Sequence, residues 1–254
     1  MKVRKKKGDQ KSSEKKRKHK KRLKRIFKCI KFLLTFGILS ATVVYASMLP
    51  YFSVNTFRVR GSAHYTDQFL ASASGISGGE NGFRLLFDEP GRFYLFRIGK
   101  AERAIIEKCP YVKKVKVRYL IPSTIAIDVE ERTAAAILSI QGTSLLIDEQ
   151  GYLLEIDPER EISGIPVIKG IKPDSFRLGK KVDMPEDVLS SAFKLYDTIK
   201  ETDDKNEKKL LPDIDYIDVG DLNNVKFSLQ SRIVVNLGEL DDLNYKISTV
   251  RTIL

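Results

Sequence analysis

Four aspartates fall within nine residues of the chain, in the stretch DIDYIDVGD at positions 213–221. Closely spaced carboxylates of this kind supply the oxygen ligands of a twelve-residue Ca²⁺-binding loop. The stretch does not fit such a loop, because Ile217 occupies the third ligand position and no glutamate closes the loop. Apolar residues alternate with the aspartates, so the stretch instead predicts a strand, Ile214–Val219, that ends in a polar turn.

Two further features of the chain could perform chemistry, a thiol and a run of glycines. Cys109 would need an electropositive, partly exposed surrounding and a base to act as a nucleophile. The only histidine beyond residue 50 is His64, in a polar turn, so we expect Cys109 to be a buried structural thiol. The glycines at 75–82 lack the Lys-Ser/Thr pair of a phosphate-binding loop. These residues predict no catalytic site, no metal, no cofactor and no small-molecule substrate.

The positive charge of the chain is concentrated in its first residues. Residues 1–31 hold 17 lysines and arginines and two acids, which leaves a net charge of −3 on the rest of a chain that totals +12. A nucleic-acid-binding protein would carry its basic surface on the folded domain, so no nucleic-acid partner is expected. Residues 1–25 are predicted to be an irregular basic tail on the cytoplasmic side that attracts anionic lipid.

An apolar segment follows this tail. Residues 32–49 carry no charged side chain, and with their flanks they predict a transmembrane helix over 26–51, long enough to cross ~30 Å of hydrocarbon. Because lysine and arginine precede the segment, the positive-inside rule places the N-terminus in the cytoplasm and residues 52–254 outside it. The alternative is a signal peptide cleaved after Val44-Tyr45-Ala46, although such peptides have shorter basic and apolar regions.

Residues 52–132 predict a small α+β domain with the order strand–helix–helix–strand–strand. The first strand ends at Gly61, Thr66 can cap the first helix, and the second helix stops before Pro110. A loop with an apolar centre, residues 76–97, joins the two helices. The apolar face of the strands requires cover, which the two helices would provide.

The last two strands of this domain form a hairpin, CPYVKKVKVRYLIPSTIAIDVEER, at residues 109–132. Pairing Tyr119 with Ile125 brings the apolar side chains of both strands to one face, and a slip of one residue would break that face. The same register sets two pairs of opposite charges against each other, Lys116 with Asp128 and Lys114 with Glu130.

Residues 133–238 predict a second, β-rich domain with one helix. Asp183 and Glu186 have the spacing of a capping box at the start of that helix. A C-terminal helical tail, 239–254, follows; its amphipathic pattern still runs at the last residue, as in a truncated helix. The predicted strands are Ala135–Ile140, Ser144–Ile147, Tyr152–Ile156, Pro166–Ile168, Ile214–Val219, Val225–Leu229 and Arg232–Leu237.

An ordered set of motifs resembles the FtsQ/DivIB family of bacterial cell-division proteins. The set comprises FRVRG ending at Gly61, Pro110-Tyr111-Val112, Leu120-Ile121-Pro122 with the strand after it, and Ile147-Asp148-x-x-Gly151-Tyr152. The link between the two helices of the first domain departs from the family pattern, because it is longer.

The resemblance implies an α+β architecture with one transmembrane helix, a POTRA domain (βααββ) outside the cytoplasm and a β-rich domain with one or two helices. It also implies a non-enzymatic protein of the cell membrane at the division septum. Its partners would be FtsL-like and FtsB/DivIC-like single-pass membrane proteins. By binding them, the protein would help to regulate septal wall synthesis. The alternatives from the residues are a membrane-anchored hydrolase, or a binding or sensor module of another envelope system.

The resemblance further implies that a partner segment pairs with the last strand of the β domain. An apolar strand near the end of the chain is itself a natural sheet edge. The predicted partner-binding residues are Arg232, Ile233, Val234, Val235, Asn236, Leu237 and Gly238.

Overall fold

The computed structural model describes residues 3–87, 94–158, 162, 164–173, 175–207 and 209–253, with side chains from residue 24 onward. It begins with a long helix, α1 (Val3–Ser47). The part of α1 long and apolar enough to cross a membrane is Lys24–Ser47. The prediction of an irregular tail is therefore wrong for residues 3–25, where lysine and arginine are good helix formers.

The chain after α1 turns sharply into the first domain. Pro50 cannot continue an α-helix, and a short 3₁₀ turn, Pro50–Phe52, replaces it. The helix thus stops at Ser47, a few residues before the predicted end of the span at residue 51. The elements that follow are β1 (Thr56–Arg60), α2 (Asp67–Ala73), α3 (Gly82–Phe87), α4 (Gly99–Lys108), β2 (Val112–Leu120) and β3 (Thr124–Glu131).

These three strands form a sheet with the order β1-β3-β2, in which β1 runs parallel to β3. The predicted hairpin register is confirmed, with Tyr119 opposite Ile125 and Lys116 opposite Asp128. The ion pairs only partly follow that register. Lys114 binds Glu130 at 3.1 Å, but Asp128 binds Arg118 at 2.6 Å.

The apolar face of this sheet is covered by helices, as predicted. Leu70 of α2 and Ile105 of α4 are fully buried against it. Cys109 is also fully buried, and burial raises the pKa of its thiol to about 11. The prediction that residues 76–97 form only a loop is wrong, because α3 lies within them and buries Leu86 in the same core.

The elements of the second domain are β4 (Ala134–Ile140), β5 (Thr143–Asp148), β6 (Leu153–Ile156), β7 (Val167–Lys169), α5 (Glu186–Asp204), β8 (Ile214–Asp218), β9 (Val225–Leu229), β10 (Ile233–Gly238) and α6 (Leu243–Ile253). The strands form a seven-stranded sheet with the order β10-β9-β8-β7-β4-β5-β6. The short β7 is parallel to both β4 and β8, so it joins two antiparallel halves.

Two helices cover one face of the seven-stranded sheet. Leu195 of α5 and Ile247 of α6 are fully buried in a core with Phe227 of β9. The predicted capping box is wrong, because α5 begins after Pro185 and receives no side-chain cap. Residues 243–253 form the expected helix, and they pack into this core.

The two sheets meet through a small apolar cluster and polar contacts. Tyr111 packs with Leu146 and Leu154, and its hydroxyl donates to Glu155 Oε1 at 2.5 Å. Arg132, in the short link between β3 and β4, binds Asp148 Oδ2 at 2.6 Å and lies 3.6 Å from the Tyr152 ring centroid. The first domain is therefore in direct contact with the second.

Candidate partner-binding edge

Six of the seven predicted partner-binding residues form β10 (Ile233–Gly238), the end strand of the seven-stranded sheet, and Arg232 lies in the turn before it. β10 pairs antiparallel with β9 only, and Val235 lies opposite Phe227. Gln230 and Ser231 both have positive φ, 48° and 52°, so the turn between β9 and β10 is tight. Asp215 holds this turn, because its carboxylate accepts from the Ser231 amide at 2.5 Å and the Ser228 hydroxyl at 2.9 Å.

The side chains of this edge divide into core and surface. Leu237 is buried and Val235 is partly buried in the helix-covered core. Ile233 and Val234 are 44% and 58% exposed, although isoleucine and valine are among the residue types most often buried. The outcomes for the seven predicted residues are: Arg232, Ile233, Val234 and Asn236 exposed, Val235 and Gly238 half-buried, Leu237 buried.

At the opposite end of the sheet, the first residue of β6 pairs on its outer side with another segment of the same chain. Gly179 N–H donates to Leu153 O and Leu153 N–H donates to Lys180 O, both at 2.9 Å. Tyr152 also forms a bridge with Lys181. The segment 179–181 thus pairs with β6, whereas no described segment pairs with the outer side of β10.

The first sheet offers a less suitable edge. The exposed side chains of β1 are Thr56, Arg58 and Arg60. Charged side chains on an edge strand oppose the addition of another strand. Of these two edge strands, β1 and β10, it is β10 that combines an open edge with exposed apolar side chains.

A shallow recess lies beside this edge and was not predicted. It has a volume of about 390 Å³ and is lined by residues of β7, β8, β9, β10 and the turn before β10. Lys169 lies 3.8 Å from the Tyr216 ring centroid there, near Asp215, Arg232 and Val234. No local sequence pattern signals the recess, because it depends on β7 lying next to β8.

The aspartate-rich stretch at 213–221 has structural contacts. Asp215 accepts the turn hydrogen bonds described above, and these bonds hold the pKa of its carboxyl below its usual value. Asp218 accepts from the Gly220 amide and Asp221 from the Asn223 amide, each at 3.0 Å. Within the described part of the chain, no cluster of His, Cys, Asp or Glu is placed to hold a metal ion.

Comparison with known proteins places residues 52–132 in the FtsQ-type POTRA domain family. The chain is 28% identical over 202 residues to Cell division protein DivIB of Clostridium acetobutylicum, covering 79% of this chain and 72% of that protein. It is 22% identical to DivIB of Clostridium tetani over 217 residues, with 85% and 75% covered. For DivIB of Clostridium botulinum strain Hall the identity is 23% over 237 residues, with 92% and 84% covered.

These findings define a POTRA protein with one N-terminal apolar helix and a β-rich domain after the POTRA domain. Together with the DivIB relatives, they support assignment of the chain to the FtsQ/DivIB family of bacterial cell-division proteins.

Proposed function

We propose that this protein is a non-enzymatic assembly factor of the division machinery. It binds FtsL-like and FtsB/DivIC-like single-pass membrane proteins and so helps to regulate septal wall synthesis. The DivIB relatives support the role in division, and the open β10 edge supports binding rather than catalysis as the activity.

The binding mode is strand addition to β10. Alternate residues of an edge strand direct their backbone N–H and C=O groups away from the sheet, and a partner strand can satisfy them. Ile233 and Val234 point to opposite faces of the sheet, so each face offers an exposed apolar side chain to the added strand. The observation that carries this proposal is the open outer side of β10, in contrast to β6, which is paired on its outer side at Leu153.

The recess beside β10 supplies specificity. Its lining mixes two cations, Lys169 and Arg232, with one carboxylate, Asp215. Asp215 is already engaged by the turn, so the recess favours a partner that carries an acidic side chain near its paired strand.

The topology follows from charge and hydropathy. The helix Lys24–Ser47 crosses the membrane with the N-terminus in the cytoplasm and residues 52–254 outside. The basic residues before it attract anionic lipid by about 1 kcal/mol for each lysine or arginine near the surface. The protein acts in the cell membrane at the division septum.

Imaging of an N-terminal fluorescent fusion in dividing cells tests the division role. We expect a band at midcell that appears with constriction. A uniform membrane signal throughout division would contradict the role and would favour an anchored module of another envelope system. Loss of fluorescence would contradict the cytoplasmic N-terminus, because the fluorophore matures in the cytoplasm.

A pair of matched variants tests the edge. Ile233→Lys places a charge on the open edge, and Ile156→Lys places the same charge on β6, whose first residue, Leu153, is already paired with residues 179–180; the two side chains are 44% and 45% exposed. A lysine on an edge strand opposes strand addition. Co-purification of the partners with the full chain should be lost for Ile233→Lys and retained for Ile156→Lys. Equal recovery with both variants would refute binding at β10.

A further inference from the structure

The POTRA domain carries a group of exposed apolar side chains near the end of α1. We call it the juxtamembrane patch, and it consists of Tyr51, Phe87, Tyr94, Leu95, Phe96 and Ile121. Its members come from three separate segments, namely the turn after α1, the link between α2 and α4, and the hairpin turn between β2 and β3. Large apolar groups clustered on a surface in this way mark an interaction site.

Hydrogen bonds fix the first of these segments to α3. Asn81 Nδ2 donates to the Ser47 carbonyl at 3.0 Å, which ties the last residue of α1 to the start of α3. The Phe52 ring packs edge-on against Phe83 of α3, with 5.1 Å between centroids. The helix α3, within the link between α2 and α4, therefore lies where the candidate span ends.

The other two segments join the same place through Tyr119. Its hydroxyl lies within hydrogen-bond distance of two carbonyls, that of Phe52 at 3.0 Å and that of Pro122 in the hairpin turn, and its one hydrogen is shared between them. Its amide donates to the Phe96 carbonyl at 2.9 Å, and the Ile98 amide donates to Val117 O at 2.9 Å. These bonds hold the segment before α4 and the hairpin turn beside the end of α1.

The position of the patch, at the end of the candidate span, indicates that it contacts the lipid interface. The polar layer of a bilayer extends roughly 5–7 Å beyond the hydrocarbon on each side. Tyr51 follows the span end, Ser47, by four residues, and the contacts above gather the other patch segments around the same turn. Tyrosine and other amphipathic aromatic residues favour this layer, and the cation Arg84 on α3 suits lipid phosphates.

We infer that the juxtamembrane patch inserts into the headgroup layer of the membrane that α1 crosses. The POTRA domain is then held against the bilayer at a second place besides its helix. The long link between α2 and α4, which departs from the family pattern, supplies most of the patch. This inference rests on α1 as a transmembrane helix but not on partner binding at β10.

Single tryptophans test the insertion, because the chain contains none. The full chain is placed in nanodiscs of phosphatidylcholine and phosphatidylglycerol, with or without bromine on the acyl chains. Tyr94→Trp reports on the patch, and Tyr245→Trp on α6 is its matched control, since the two side chains are 73% and 75% exposed. Phe36→Trp within the candidate span is the positive control.

We expect the emission of the Tyr94→Trp chain to shift to the blue and to be quenched by brominated lipid, less strongly than emission from position 36. Position 245 should show neither effect. Adding Leu95→Asp and Ile121→Asp to the Tyr94→Trp chain should restore the emission, with circular dichroism used to verify folding.

Three results would overturn the inference. One is the same emission and quenching at positions 94 and 245. Another is a blue shift at position 94 that rises with protein concentration and is insensitive to bromine, which indicates a second copy of the chain on the patch. The third is the absence of quenching at position 36, which would also show that α1 does not cross the membrane. Partner binding at β10 is measured by a separate experiment, so failure of one proposal can be told from failure of the other.

Discussion

At the scale of single residues, one carboxylate ties the end of β3 to the loop that precedes α2. Glu131 accepts from the Ser62 hydroxyl at 2.6 Å and from the amides of Ala63 at 3.0 Å and His64 at 3.1 Å. Burial alone would raise the pKa of Glu131, but these hydrogen bonds outweigh it and hold the pKa below its usual value. The ionised form is thus the one that stabilises the fold.

Glu131→Gln should destabilise the protein in a pH-dependent way. Because the folded pKa of Glu131 lies below the unfolded one, its contribution is fully present above the unfolded pKa and is lost as pH falls through the folded pKa. The variant should lose about 1–3 kcal/mol of unfolding free energy near neutral pH, as for hydrogen bonds to a charged group. Urea unfolding at neutral and at acidic pH measures the difference.

The adjacent Glu130 is the control, since its pair with Lys114 is exposed to solvent. Glu130→Gln should change the unfolding free energy by about 0.5 kcal/mol or less. If Glu131→Gln were equally mild, or if its effect persisted unchanged in acid, the role of the carboxylate would be refuted.

Pairing of individual charges was only partly predictable at this scale. The apolar alternation was enough to place Lys116 opposite Asp128, and the structure confirms that register. The side chain that binds Asp128 is nevertheless Arg118. A diagonal neighbour lies within reach of a long side chain in a twisted sheet, and the sequence pattern contains no information on that choice.

At the scale of elements, Asp203 organises the end of α5 and the position of α6. Its carboxylate accepts from the amides of Leu210 and Leu211, at 2.9 Å each, and pairs with Arg251 of α6. Burial would raise the pKa of Asp203, but these amides and the guanidinium lower it. A single buried side chain therefore joins α5, the chain leading to β8, and the last helix.

Asp203→Asn should loosen this junction. The amide side chain keeps one acceptor oxygen but loses the charge, so a loss of about 2–3 kcal/mol of unfolding free energy is expected. Asp204→Asn, on the exposed neighbouring residue, should change it by about 0.5 kcal/mol or less. Hydrogen exchange at the amides of Leu210 and Leu211 should accelerate in the first variant only; slow exchange in both would show that Asp203 does not hold the junction.

The elements themselves were predicted unevenly. In long runs such as Val112–Leu120, the alternation of apolar and charged residues is enough to predict both the strand and its buried face. The six-residue α3 is too short to show a helical period, and it was missed. The central place of β7 depends on parallel pairing with Ile137 and Ile217, which are distant in the chain. Sequence reasoning therefore found β10 but not the recess that β7 helps to line.

At the scale of the whole molecule, the interface between the POTRA domain and the β domain determines the position of β10 relative to the membrane. The junction combines the Tyr111 hydroxyl on Glu155, the Arg132 contact with Asp148, and the close approach of Gly179 to Pro110. The link from Glu131 to Ala134 contains only two residues. Both features favour a rigid platform, which would present the proposed binding edge, β10, at a fixed distance from the bilayer.

Tyr111→Phe tests this rigidity, because it removes the hydroxyl while leaving the ring within its apolar cluster. The lost bond to a carboxylate is worth about 1.5–3 kcal/mol, so the two domains should vary more in relative orientation. Spin labels at Ser72→Cys in α2 and Ser190→Cys in α5, in a Cys29→Ser background, measure the distance distribution in nanodiscs. The distribution should broaden for Tyr111→Phe and not for Tyr245→Phe, whose ring is exposed. An unchanged width would mean that the apolar cluster and Arg132 alone fix the orientation, and the hydroxyl bond would then have no part in positioning the edge.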